Sequence, residues 1–255
     1  MSGMKTFTTY ITYAKLNRTR NAKPETRNME HDTRNNNVIA IALPKGRLLT
    51  PILELFEGIG FSCVRGFSDS RRLICEDRDR QLRFLILRPA DIPTYVERGA
   101  ADMGIAGKDQ LLEQRRDVYE PLDLKFGACR LVVAEPAELH KQDDPHSWSY
   151  LRVATKYPNL AEAYFSRKGI QAEIIKLTGS LELAPLVGLA ERIVDLVETG
   201  QTLKENGLVE VEEIAKSTAR LIVNRASLKT KYRRVQDLIE QMRAQVEAHA
   251  ARACA

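Results

Sequence analysis

The run Ile193-Val194-Asp195-Leu196-Val197-Glu198-Thr199-Gly200-Gln201-Thr202-Leu203 carries more information than any other stretch of the chain. Ile193, Val194, Leu196 and Val197 are β-branched or aliphatic, as a strand covered on both faces requires. Gly200 permits a sharp turn and a close backbone approach to a ligand. Thr199 and Thr202 supply hydroxyls, and the first N–H groups of the helix that follows point out of the turn. Such a turn suits an anion, in particular a phosphate. Asp195 and Glu198 would repel a bare phosphate. They fit a ligand that also carries hydroxyls or a bound cation, such as a sugar phosphate with Mg²⁺. An isolated Thr-Gly-x-Thr is more often a plain strand end with a Thr helix cap, so the neighbouring segments have to decide.

Working outward, strands alternate with helices. Val38–Leu43 reads as a strand, and Pro44-Lys45-Gly46-Arg47 as a turn. Leu48, Leu49, Ile52, Leu55, Phe56 and Ile59 then recur at helical spacing. Further strands are expected at 73–75, 83–87, 102–106 and 130–134, with a short helix over 89–98. The stretch 135–150 reads as a surface connection. A second series follows, with strands at 152–155, 172–177, 193–197, 209–214 and 220–224. Helices are expected at 159–168 and 181–189, and a last one from a Ser227 cap to the end. The class is α/β with parallel sheets. Two series joined by a polar segment suggest two lobes with a ligand cleft between them: 38–128 with 215–255, and 129–214. Residues 1–37 are polar, rich in Asn, Thr and Arg, and read as a disordered extension.

Composition removes several classes. The chain has 255 residues, 44% hydrophobic and 29% charged. No apolar run approaches the roughly 18 residues of a membrane span. The net charge of +5 is modest and comes largely from the first 37 residues, so no nucleic-acid partner is expected. Cys63, Cys75, Cys129 and Cys254 have no metal-ligand spacing and read as reduced cytoplasmic thiols. No Cys–His or Ser–His pair is apparent.

Lys45-Gly46-Arg47 follows a strand, where open α/β sheets bind ligands. Arg offers a bidentate fork and Lys a point charge, a combination suited to a polyphosphate; a solvated surface turn explains the triplet equally well. Asp69-Ser70-Arg71 reads as a loop tip. Thr155-Lys156-Tyr157-Pro158-Asn159 ends a strand of the second series and is another candidate anion site. Gly179-Ser180-Leu181-Glu182 has the same form, and a simple Ser cap accounts for it as well.

Taken together, these segments resemble the ATP phosphoribosyltransferase family, which opens histidine biosynthesis. The matching stretches are LPKGRL (43–48), RPADIPTYVERGAADMGIAGKD (88–109), DLKFGACRLVVA (123–134), RVATKYPNLAEAYF (152–165), GSLELAPLVGLAERIVDLVETGQTLKENGL (179–208) and STARLIVN (217–224). The resemblance implies a two-lobed fold like the type II periplasmic binding proteins, with the chain crossing twice between lobes. It implies that Asp195, Glu198, Thr199, Gly200, Gln201 and Thr202 bind phosphoribosyl pyrophosphate. Lys45, Gly46, Arg47, Thr155 and Lys156 would lie near ATP. Arg47 and Arg71 would be catalytic, stabilising departing pyrophosphate with Mg²⁺. One departure is Glu191-Arg192, where the family's "GLAD" run has Asp.

The resemblance further implies that adenine N1 of ATP attacks ribose C1 and pyrophosphate leaves, with no protein nucleophile. With the final helix ending at residue 255, the expectation is the short form: a cytoplasmic homodimer or larger hetero-oligomer, working with a regulatory subunit similar to histidyl-tRNA synthetase. The competing expectations are a non-catalytic solute- or effector-binding module of the same fold, and a phosphoribosyltransferase acting on another base such as orotate.

Overall fold

The computed structural model describes residues 38–61, 73–77, 81–141 and 150–253. Expectations that fall on residues 1–37, Arg71, Cys63 or Cys254 lie outside the described residues.

The first sheet is built from β1 (Ile39–Pro44), β2 (Ile74–Asp77), β3 (Leu82–Leu87), β4 (Met103–Gly107), β5 (Tyr119–Asp123) and, from far along the chain, β11 (Ala219–Val223). Their spatial order is β2-β3-β1-β4-β11-β5. The second sheet takes β6 (Cys129–Pro136), β7 (Tyr150–Thr155), β8 (Gln171–Lys176), β9 (Arg192–Val197) and β10 (Leu208–Ser217), in the order β10-β6-β9-β7-β8. The chain therefore passes between sheets twice, from Asp123 to Cys129 and at Thr218. Both sheets belong to one compact unit, Asn36–Ala255.

Parallel sheets were expected; both sheets are mixed. The centre of each sheet is parallel: β3-β1-β4 in the first, β9-β7-β8 in the second. The flanking strands β2, β11, β10 and β6 pair antiparallel. Each long return strand enters its sheet beside a strand running the other way, so no crossover helix is needed.

Helices cover both faces. On the first sheet, α1 (Leu49–Gly58) and the last helix α9 (Tyr232–Ala253) enclose Ile39, Ile41, Phe84, Phe56, Ile239 and Met242. On the opposite face, α2 (Ile92–Glu97) packs Ile92 and Val96 on Ala42 and Ile222. Gly104 of β4 allows this approach, because a Cβ there would lie 2.8 Å from both Ile92 Cγ2 and Val96 Cγ2. On the second sheet, α5 (Pro158–Arg167) seals Leu131, Val153 and Val194 with Tyr164 and Phe165. Its other face buries Ile193, Val197, Leu203 and Leu181.

Other boundaries differ for identifiable reasons. The helix expected over 181–189 is a single turn, α6 (Leu183–Leu186), because Pro185 lacks an N–H and Gly188 takes φ +73°. The last helix is two. Asn224, not Ser227, caps α8 (Arg225–Thr230), accepting the N–H groups of Ala226 and Ser227. Ser227 is buried and donates to Asp102 instead. The connection after β6 begins with one helical turn, α4 (Ala137–His140). Among the described residues no helix is long and apolar enough to cross a membrane.

Candidate functional site

The Thr199-Gly200 turn adopts the expected geometry. β9 ends at Val197, Gly200 takes φ +78°, and α7 (Gln201–Glu205) begins at once. Thr199 Oγ accepts the Gln201 N–H at 3.4 Å. The N-cap of α7 is Gly200, without a side-chain cap, and the first N–H groups of a helix have no partner within it, which suits the turn to an anion.

This turn forms one side of a cleft of about 400 Å³. Asp195, Glu198, Thr199, Gly200, Gln201 and Thr202 line it; Lys156, Tyr157 and Glu182 come from other connections of the second sheet. Arg47 reaches in from the first sheet's lobe, and its guanidinium pairs with the Glu198 carboxylate. The cleft thus offers cations (Arg47, Lys156), carboxylates (Asp195, Glu198, Glu182) and hydroxyls (Thr199, Thr202).

Asp195 is the electrostatic centre. Burial, with Glu182 adding to it, pushes its carboxyl up to about 6, against the pull of the Leu196 N–H and Lys156. Burial thus makes the ionised form of Asp195 costly, and cationic charge arriving in the cleft would favour it. The three carboxylates also bear on Mg²⁺. No group of three or more metal-binding side chains is close enough to hold an ion among the described residues. Carboxylate oxygens are hard donors of the kind Mg²⁺ takes, so the donor set of the cleft is compatible with that ion.

Not every expected residue lies in this cleft. Lys45 and Gly46 are exposed in the turn after β1, and only Arg47 of that triplet lines the cleft. Thr155 is fully buried, its hydroxyl donating to Val194 O at 2.7 Å and accepting the Tyr157 N–H at 2.9 Å. It ties β7 to β9 and shapes the turn that presents Lys156. Arg71 lies outside the described residues. The departure Glu191-Arg192 carries two ion pairs. Glu191 clamps Arg152, with contacts of 2.6 and 2.9 Å, and buried Arg192 meets the fully buried Glu135 at 2.8 Å.

Two lining residues were not singled out from sequence. Tyr157 lies within the candidate segment 155–159, but its own role is not readable there. Glu182 lies within the Gly179–Glu182 turn, for which an anion site and a simple Ser cap stood level. Nearby, burial and then Asp109 push the Cys129 thiol up, while Arg47 and Ser217 oppose the shift.

Comparison with known proteins agrees with this geometry. A family model described as HisG: ATP phosphoribosyltransferase matches residues 88–244. The ATP phosphoribosyltransferase of Geobacter metallireducens is 62% identical over 202 residues, 79% of this chain and 95% of that protein. That of Acidithiobacillus ferrooxidans is 57% identical over 209 residues, 82% and 97% of the two chains. Among solved structures, an ATP phosphoribosyl transferase (HisG:HisZ) complex from Thermotoga maritima aligns with TM-score 0.72 at 34% identity, covering 83% of this chain and 100% of that one. A substrate binding protein of an amino acid ABC transporter aligns with TM-score 0.52 at 13% identity, covering 85% and 94%. The last likeness concerns the fold alone and agrees with a two-lobed, type II periplasmic-binding-protein-like architecture.

Proposed function

The chain belongs to the ATP phosphoribosyltransferase family, and from that premise we propose how its cleft carries out the transfer. The reaction joins ATP to 5-phosphoribosyl 1-pyrophosphate, giving N1-(5-phosphoribosyl)-ATP and pyrophosphate. The observation that carries the assignment to this cleft is the meeting of Arg47 with the Asp195–Thr202 segment in one polar space.

The backbone N–H groups after Gly200 and the hydroxyls of Thr199 and Thr202 would hold the 5′-phosphate. Asp195 and Glu198 would accept hydrogen bonds from the ribose hydroxyls. Arg47 would lie against the pyrophosphate, where negative charge grows as the C1–O bond breaks. Lys156 would hold phosphates of ATP. No protein nucleophile is needed, because adenine N1 brings its own lone pair; the protein's work is positioning and charge stabilisation. The cleft carboxylates Asp195, Glu198 and Glu182 could complete the shell of a Mg²⁺ carried on the substrate phosphates, which would supply neutralisation of the charge on the departing pyrophosphate.

The regulatory reading rests on the likeness to the Thermotoga maritima HisG:HisZ complex. By likeness, this chain would be the catalytic subunit of a cytoplasmic hetero-oligomer with a partner of that kind, resembling histidyl-tRNA synthetase. The test is to titrate histidine against the chain with and without such a partner while following pyrophosphate release. Inhibition is expected only in the complex, since it requires a second site that favours a less active state. Potent inhibition of the isolated chain, away from its substrates' site, would overturn the partner reading and leave the transfer reaction standing.

A further inference from the structure

The transfer reaction needs Arg47 from one lobe and Lys156, Asp195 and Glu198 from the other. Their separation depends on how the lobes are held, and the two crossing segments are short single strands. The side chains bridging the lobes beside those crossings converge on one helix, α3 (Lys108–Gln114), of the first lobe.

Asp109 stands at the start of α3 and is buried. Its Oδ1 accepts the Ser217 hydroxyl at 2.8 Å, and its own N–H donates to Ser217 Oγ at 3.0 Å. Ser217 is the last residue before the second crossing. The other oxygen, Oδ2, accepts the Tyr157 hydroxyl at 3.0 Å and the Gln110 amide at 2.9 Å. One turn further on, Glu113 spans the same gap. Its two carboxylate oxygens accept the backbone N–H groups of Asn159 and Leu160, each at 3.0 Å. Asn159 returns a bond from its side-chain amide to Glu113 O at 3.0 Å. A carboxylate of one lobe therefore caps the first turn of α5 in the other, satisfying two N–H groups that the helix cannot.

Gly107 makes room for this arrangement, because a Cβ there would overlap the Asp109 carboxylate. Tyr157 is 3% exposed, so its ring is core and its hydroxyl is aimed at Asp109. The Tyr157 N–H is fixed by Thr155, which leaves Lys156 between two immobilised neighbours on the cleft wall.

We propose that Tyr157 and Glu113 are positioning residues for the transfer reaction, clasping Lys156 and the α5 end of the second lobe to Asp109 of the first. The clasp keeps the Lys156 wall at a fixed distance and angle from Arg47. It rests on the reading of the cleft as the transfer site. Neither side chain would touch a reacting atom. Their effect is on alignment, and a misplacement of about 1 Å at such a site can lower the rate on the order of a hundredfold.

The test compares full-length Tyr157→Phe and Glu113→Gln with the unmodified chain, by two readouts. The first is steady-state kinetics with ATP, phosphoribosyl pyrophosphate and Mg²⁺. The second is amide hydrogen exchange over residues 157–161, with the β9 segment 193–197 as internal reference. Tyr157→Phe keeps the buried ring and removes one hydroxyl; Glu113→Gln keeps the shape and removes one of two acceptors. In both, kcat is expected to fall about tenfold or more with KM for either substrate changed less than about threefold. Exchange over 157–161 should speed up by about tenfold while 193–197 is unchanged. Unchanged kinetics and unchanged exchange would overturn the clasp. So would a loss of activity that merely follows accelerated exchange in 193–197, since that is general destabilisation. If the unmodified chain transfers no phosphoribosyl group, the functional reading fails; the exchange data still report on the clasp.

Discussion

The guanidinium of Arg47, on the turn after β1, is paired with the carboxylate of Glu198, on the turn after β9, so that the two lobes meet across the cleft through opposite charges. Both side chains are about half exposed, at 50% and 55%. An ion pair so open to water contributes roughly 0–1 kcal/mol. It is easily exchanged for better partners: pyrophosphate for Arg47 and ribose hydroxyls for Glu198.

Replacing one partner tests this exchange. Glu198→Gln removes only the charge, and Arg47→Ala removes the fork. Each is expected to lower kcat about ten- to a hundredfold, the worth of one charge-assisted bond of roughly 1.5–3 kcal/mol. Melting temperature should barely move. Arg47→Ala should reduce the single-turnover rate more than ATP affinity. If only affinity falls, Arg47 docks substrate and does not stabilise the leaving group.

The turn itself depends on Gly200. Its φ of +78° is strained for any residue with a Cβ, and a Cβ would come 3.1 Å from Glu210 Oε1. Glu210 cannot retreat freely, because Arg130 holds it at 2.7 and 3.0 Å. Gly200→Ala is expected to destabilise the protein by about 1–2 kcal/mol and to weaken sugar-phosphate binding. Chemical denaturation and isothermal titration would measure both. Unchanged affinity would separate the turn from the phosphate.

Much of this site is legible in the sequence, because strand–Gly–helix turns announce themselves locally. The strand β9, the Gly200 turn and the charged residues around them need only short-range information. What sequence spacing did not reveal is long-range. The Asp109–Tyr157 bond joins residues 48 positions apart, and nothing local to either marks the other. Strand β5 went unread because Tyr119-Glu120-Pro121-Leu122-Asp123 contains a proline and two acids; as an edge strand it tolerates both. The surroundings of Thr155 are hidden for a related reason. A hydroxyl at a strand end looks the same whether it faces a ligand or, as here, Val194 O.

The elevated Asp195 carboxyl gives a pH signature. With its value at about 6 in the folded protein against 3.8 for an ordinary Asp, the folded state binds the proton more tightly. Stability from this group is therefore greatest below about pH 4 and is lost as pH rises towards 6, by on the order of 3 kcal/mol. Asp195→Asn removes the effect. Its melting temperature should gain on the unmodified protein steadily from pH 4 to pH 7, then level off. A difference independent of pH would mean that Asp195 ionises normally.

The pair Glu135–Arg192 has no part in the cleft but holds the second sheet. Both are essentially buried, at 0% and 3% side-chain exposure, and His140 Nδ1 lies 2.8 Å from Glu135. Arg192→Met would leave a buried carboxylate without its cation, at a cost of about 3–5 kcal/mol. Converting Glu135→Gln as well should recover most of the loss. Thermal or urea unfolding of the single and double variants checks this. Equal loss in both would place the cost in packing and not in charge.

The most direct measurement is the identity of the product. The purified chain is incubated with ATP, phosphoribosyl pyrophosphate and Mg²⁺, and the nucleotide is separated and its mass and attachment site determined. The account predicts N1-(5-phosphoribosyl)-ATP with one pyrophosphate released per nucleotide consumed, and none when either substrate is omitted. Binding of both substrates with no covalent product would contradict it and make the chain a ligand-binding module. Transfer of the phosphoribosyl group to orotate but not to ATP would contradict it equally.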